Sequence, residues 1–195
     1  AWPDCQIERD VLNEVGAEVI EPPDASETTL VDLAAEIDAI AACWAQVTPR
    51  VVDAATRCRI VARFGIGLDN IPVEACTLRG IPVTYVPDYC IPEVADHTIS
   101  LLLAAVRKTA FYHHRIKQGE YQLAAGPPLR RLSGLVLGLV GLGRIARAVV
   151  PRARALGLRV VASTPSGNDH GTDCQMLSFE DLLRTSDIVS LHCPL

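Results

Sequence analysis

The sequence predicts an α/β fold with mostly parallel sheets, and three observations carry that prediction. Short apolar, partly β-branched runs alternate with helix-length segments. Capping residues mark the helix starts, among them Ser26, Thr48-Pro49 and Ser178, and Gly80 marks a stop. The apolar run from Leu135 to Val140 passes straight into Gly141-Leu142-Gly143-Arg144-Ile145-Ala146, a glycine turn that opens a helix.

Taken in order, strands are expected at Ala17–Ile20, Asp38–Cys43, Arg59–Arg63 and Pro82–Val86. Between them, Ser26 caps a helix carrying Leu30, Leu33 and Ile37, and Thr48 caps one with Pro49 at its first position. Ile71-Pro72 is a weaker start of the same kind for a helix over Val73–Arg79 that Gly80 ends. Pro87-Asp88-Tyr89 breaks the alternation. A long apolar helix over Pro92–Lys108 follows, with Val94, Ile99, Leu102, Leu103 and Val106 on a wide buried face. Next come a polar segment dotted with aromatics, Thr109–Tyr121, and a loop over Ala124–Arg131. A second β-α-β unit then runs as strand 135–140, helix 144–156 and strand 159–163, with Pro151 expected to kink the helix at a cost of up to ~3 kcal/mol. Ser178 with Asp181 caps a short helix, and Asp187–Leu191 is the last strand.

Composition excludes several classes. In 195 residues, 18 Lys+Arg against 23 Asp+Glu leave a net charge of −5, and 49% of the residues are hydrophobic. Such a chain can bury a core, so disorder is excluded, and a mildly acidic balance argues against nucleic-acid or anionic-membrane binding. The longest apolar stretches reach roughly half of the ~20 residues a membrane span needs. No export signal opens the sequence, so a cytoplasmic location is expected. The seven cysteines (5, 43, 58, 76, 90, 174, 193) are scattered without a C-x-x-C pair, and read as reduced thiols, mostly core fillers, with no metal site.

The glycine turn carries the chemistry. Gly141 permits a tight turn, Gly143 lets a pyrophosphate approach the backbone, and the small Ala146 lets helix and strand pack closely. The N–H groups of Arg144 and Ile145 then face the phosphates from the positive end of the helix dipole. An acid to grip the ribose hydroxyls is expected about twenty residues on. Ser163 and Thr164 stand there instead, with no Lys or Arg following to attract a 2′-phosphate. NAD is therefore only slightly ahead of NADP. Farther upstream, Gly65-Ile66-Gly67 reads as a glycine-permitted turn whose consecutive amides make an anion nest.

With these residues in view, the chain resembles the D-isomer-specific 2-hydroxyacid dehydrogenase family. Six motifs follow in that family's order: Arg63-Phe64-Gly65-Ile66-Gly67-Leu68-Asp69-Asn70-Ile71, Arg79-Gly80-Ile81-Pro82-Val83, Val86-Pro87-Asp88 with Glu93-Val94-Ala95-Asp96-His97-Thr98, Arg131-Leu132-Ser133-Gly134, the glycine fingerprint, and His192-Cys193-Pro194-Leu195. The wording is nearest the branch of phosphoglycerate-dehydrogenase-like enzymes and C-terminal-binding-protein corepressors.

The resemblance implies a flavodoxin-like substrate domain at 1–88 and a Rossmann-type, doubly wound NAD(P)-binding domain at 89–195. It also implies truncation: the first domain would lack its first strand and its C-terminal return, and the second would be incomplete. Arg63, Gly65, Ile66 and Gly67 would bind the substrate carboxylate; Thr98, Gly141, Gly143, Arg144, Ile145, Ser163, Thr164, Cys193 and Pro194 would bind the cofactor. The implied reaction is hydride transfer between a nicotinamide cofactor and a small D-2-hydroxy or 2-keto acid. The family's catalytic Arg, His and His-orienting carboxylate are expected after Leu195, so this chain would hold no catalytic residue and be inactive alone. His97, His113, His114 and His170 read as structural or solvated. The alternative is an NAD(H)-gated binding protein like the corepressors. A homodimer is expected through the nucleotide-binding domain, with Phe111, Tyr112 and Tyr121 of Thr109–Tyr121 as a dimer arm lacking a core to join.

Overall fold

A computed structural model describes residues 4–193. It divides into two units between Tyr89 and Cys90.

The first unit runs α1 (Gln6–Asn13), α2 (Glu27–Ala34), β1 (Ala39–Ala42), α3 (Pro49–Ala54), β2 (Ile60–Arg63), α4 (Val73–Leu78) and β3 (Val83–Tyr85). Its strands form a parallel sheet in the order β1-β2-β3. Two caps form as the sequence suggests: Ser26 Oγ accepts from the Thr29 N–H and Thr48 Oγ1 from the Val51 N–H. Thr48 also donates to Glu27, which lowers the Glu27 carboxyl's pKa and ties α2 to the start of α3. Ala34, Val51, Val52, Val61, Ile71 and Cys76 are buried together beside the sheet. The Arg79 guanidinium donates to the Val52 and Ala55 carbonyls at the end of α3.

Two features depart from expectation. Ala17–Ile20 is not a strand and forms no ladder among the described residues; the Val19 carbonyl instead accepts from Arg9. Helix α1 stands where no element was expected, with Ile7, Val11 and Val15 exposed.

The second unit runs α5 (Ile91–Val106), α6 (Thr109–Lys117), a 3-10 turn (Leu123–Ala125), β4 (Val136–Val140), α7 (Arg144–Ala155), β5 (Arg159–Ser163), β6 (Gln175–Met176), α8 (Phe179–Thr185) and β7 (Ile188–Leu191). All four strands are parallel, in the order β6-β5-β4-β7. Leu137, Leu139, Ala146, Val149, Val160 and Ala162 form a buried layer with Ala95 and Leu102 of α5. The long helix stops at Val106 instead of reaching Lys108, because Lys108 turns left-handed (φ 56°) and the chain restarts as α6. The expected kink at Pro151 does not end the helix, which runs unbroken through it with the ring exposed. Phe111 and Tyr112, expected to lack a core, meet edge-to-face at 5.3 Å, and a Cβ on Gly126 would lie 2.4 Å from the Tyr112 hydroxyl.

The seven cysteines are free thiols, three of them buried (Cys58, Cys76, Cys174) and Cys193 exposed, so core filling describes fewer than half. Among the described residues no helix is long and apolar enough to cross a membrane, and no cluster of His, Cys, Asp or Glu is arranged to hold a metal.

Asp187 joins the entrances of β4 and β7. Its Oδ2 accepts from the Val136 N–H at 2.9 Å, its Oδ1 pairs with Arg130 at 2.6 Å, and its own N–H donates to the Val136 carbonyl. The Val136 N–H, then the Arg130 guanidinium, hold its carboxyl below the usual carboxylate range. A depressed carboxylate contributes stability above its unfolded pKa and loses it as pH falls through the folded value. Asp187→Asn should therefore lower the melting temperature at neutral pH, and the deficit should fade on the acid side of ~3.9. Leu137→Ala, at a fully buried strand position, should cost about 2–5 kcal/mol in urea unfolding.

Candidate functional site

In the second unit the chain passes from β4 to β5 and β6 on one side, then returns to place β7 on the other side of β4. Open parallel sheets bind ligands at such a reversal, outside the carboxyl ends of the strands. The glycine turn lies there. Gly141 has φ +91°, and a Cβ on it would fall 2.7 Å from the His192 carbonyl oxygen, so both its backbone and its neighbours demand glycine. Its N–H donates to the Ser163 carbonyl at 2.9 Å, and His192 N–H donates to the Val140 carbonyl at 2.8 Å. The ends of β5 and β7 thus grip the turn from either side.

Gly143 differs. Its φ is −73° and its ψ −168°, which any residue can adopt, and a Cβ there would meet nothing within 4 Å. Among the described residues nothing requires a glycine at 143, and the open space in front of it suits a group approaching the backbone. Helix α7 starts here without a side-chain cap, its first internal bond running from Arg147 N–H to the Gly143 carbonyl. The backbone of Arg144 and Ile145 forms the first turn, at the positive end of the helix dipole, and Ala146 is fully buried beneath. This set fits a dinucleotide pyrophosphate. Gly138, overlooked in the sequence, serves packing: a Cβ would fall 2.2 Å from Ser186 Oγ and 2.8 Å from a Leu182 methyl.

The remaining expected cofactor residues divide. Ser163 ends β5, and Thr164 opens a turn closed by Gly167 N–H to the Thr164 carbonyl, with Thr164 and Ser166 hydroxyls 3.4 Å apart. Cys193 follows β7 and is exposed, while Pro194 lies outside the described residues. Thr98 stands on α5, its hydroxyl donating to the Val94 carbonyl at 2.8 Å. His192, not singled out in the sequence, is half-buried with Nε2 3.0 Å from Ser190 Oγ, and burial lowers its pKa.

The first unit holds the second constellation. Arg63 ends β2 with only 9% of its surface exposed, and its buried Nη1 has no hydrogen-bond partner. Its Nε donates to Asn70 Oδ1 at 3.0 Å and its Cζ lies 5.9 Å from the Trp44 ring centroid. Among the described residues no carboxylate pairs with it. Neither glycine of Gly65-Ile66-Gly67 has a positive φ. Their need for glycine is one of space. A Cβ on Gly65 would fall 2.6 Å from Arg63 Nη1, and one on Gly67 3.2 Å from Asp69 Oδ2. The N–H groups of residues 65–67 have no backbone acceptor among the described residues, so three donors and a buried cation share one loop. Asn70 and Trp44 were missed as functional residues; only the run Asp69-Asn70 after the glycines could have flagged the first.

Residues 99–195 match the family described as D-isomer specific 2-hydroxyacid dehydrogenase, NAD binding domain. A glyoxylate reductase from Thermococcus kodakarensis is 36% identical over 203 residues, covering 100% of this chain and 56% of the relative. A D-lactate dehydrogenase from Aquifex aeolicus, solved with NAD and lactic acid, has TM-score 0.78 and 26% identity, covering 85% of this chain and 50% of that one. An NAD-dependent formate dehydrogenase from Staphylococcus aureus, solved with NAD, has TM-score 0.87 and 26% identity, covering 96% of this chain and 58% of that one. The chain spans about half the length of the curated relatives it matches, 49% and 56% for the first two.

Within the second unit, the two fingerprint glycines should separate experimentally. Gly143→Ala should leave the melting temperature unchanged within error yet weaken NADH binding by about tenfold or more, as one or two charge-assisted backbone bonds are lost. Gly141→Ala should weaken both. Calorimetric titration beside a thermal melt separates the outcomes.

Proposed function

We propose that this chain serves reversible hydride transfer between a nicotinamide dinucleotide and a small D-2-hydroxy or 2-keto acid, the second unit holding the dinucleotide and the first the acid's carboxylate. The observation that carries this reading is Gly143, a glycine with open space before its backbone at the start of α7. Glyoxylate reductase and lactate dehydrogenase among the relatives support the substrate class. The nicotinamide ring, when bound, supplies or accepts the hydride. The residues of this chain bind and orient. Gly141, Gly143, Arg144 and Ile145 hold the pyrophosphate, Ser163, Thr164, Cys193 and Pro194 flank the nucleoside, and Thr98 lies on the nicotinamide side. Arg63 with the amides of Gly65, Ile66 and Gly67 receives the carboxylate, where a charge-assisted bond in a largely desolvated site is strongest. Carbonyl polarisation and proton delivery are assigned to none of these residues.

Both nicotinamide dinucleotides are acceptable, NAD being the default. An acid at the end of the second strand would repel a 2′-phosphate; Thr164, in its place, offers a hydroxyl and no charge. The second unit also forms a homodimer, supported by the exposed Leu101, Ile116 and Tyr121 on and after α5 and α6.

Three measurements test this. Titration of the chain with NADH and NADPH should give saturable heat for both, and the absence of heat and thermal shift would overturn the dinucleotide reading. Thr164→Asp should reduce NADPH affinity relative to NADH by about tenfold or more. Light scattering at micromolar concentration should give twice the chain mass, and Tyr121→Lys should halve it.

A further inference from the structure

We propose that Asn70 is a positioning residue that holds the Arg63 guanidinium and the Trp44 loop together as one anion clamp; this rests on the first unit being the carboxylate-binding unit. Asn70 spends every polar group of its side chain within the site. Its Oδ1 accepts from Arg63 Nε at 3.0 Å, and its Nδ2 donates to the Cys43 carbonyl at 3.3 Å and the Ala45 carbonyl at 2.8 Å. Its own carbonyl accepts from the Val47 N–H at 2.9 Å. A guanidinium can only donate and a carbonyl can only accept, so these partners allow a single orientation of the amide. One residue thereby joins the end of β2, the glycine loop and the segment 43–47 that follows β1.

That segment carries Trp44, 81% exposed, whose ring lies beside the Arg63 guanidinium. Held at Nε by Asn70, flanked by Trp44 and pressed on Gly65, the guanidinium keeps Nη1 buried and unpartnered. The neutrality of the amide matters as much as its geometry. An aspartate at 70 would accept the same Nε–H, but it would cancel the charge that attracts an anion and could not donate to the two carbonyls. Alanine would release the guanidinium and the loop together. Of the small side chains, asparagine alone combines one acceptor, two donors and no charge at this reach.

The test uses the whole chain carrying Trp2→Phe, which leaves Trp44 as its sole tryptophan. Oxamate, an unreactive analogue of a 2-keto acid, is the probe, and Trp44 emission is the readout. The parent should show saturable quenching, and Arg63→Met should abolish it. Asn70→Ala should shift the ligand-free emission and weaken oxamate binding at least tenfold. Asn70→Asp should weaken it as much at neutral pH, then recover only as pH falls below about 4 and the new carboxyl is protonated, while the parent stays flat over that range. A residue that only stabilises the fold would lower the melting temperature without producing this pH profile. Unchanged affinity and emission in Asn70→Ala would overturn the proposal and leave the carboxylate reading intact. Should that variant fail to fold, unchanged affinity of Asn70→Asp at neutral pH overturns it equally. A parent that ignores oxamate overturns the carboxylate reading, and the clamp with it.

Discussion

The turn from β4 into α7 has no room for a side chain at its first position, because the His192 carbonyl at the end of β7 occupies the place a Cβ would take. Much of the second unit follows from that crowding. Strand β7 approaches so closely because it pairs with β4 over Leu137–Val140, and Asp187 ties the opposite ends of the same two strands. Strand β5 closes the other flank through the Ser163 carbonyl. The sheet therefore squeezes the turn on both sides and leaves one way out, along the axis of α7, at the positive end of the helix dipole. The ligand site is what remains after the strands have packed.

The first unit solves a different problem. A guanidinium with 9% of its surface exposed and no carboxylate beside it is a costly object, and the fold supports it only by hydrogen bonding and by stacking on an aromatic face. Neutral partners satisfy geometry without satisfying charge. The residual positive field is thereby directed at whatever anion enters, and the desolvation that makes the cation expensive also makes its attraction strong.

Sequence reading succeeded where local chemistry decides the outcome. The caps at Ser26, Thr48 and Ser178 work through atoms within three residues, and the strand–turn–helix at Val136–Ala155 combines a period and a motif that one stretch of chain contains. It failed where the outcome depends on distant partners. Ala17–Ile20 has strand composition and no neighbouring strand, so no ladder forms. The two-residue β6 exists only because β5 offers an edge, and nothing in Gln175-Met176 announces it. Lys108 adopts a left-handed backbone that its side chain gives no reason to expect. At Gly65 and Gly67 a Cβ would press on the side chains of Arg63 and Asp69 while neither backbone has a positive φ, a relation that the glycine pattern does not announce. Asn70 was passed over because its three side-chain partners span residues 43 to 63, a relation no local pattern encodes.

The contrast between Gly141 and Gly143 reaches beyond this molecule. One glycine is required by the polypeptide itself, the other only by a visitor. In a lineage that kept the fold and abandoned the dinucleotide, selection would continue to hold the first position and would release the second. Across an alignment of descendants, drift at 143 beside constancy at 141 would read as a record of lost ligand binding, legible without a single assay.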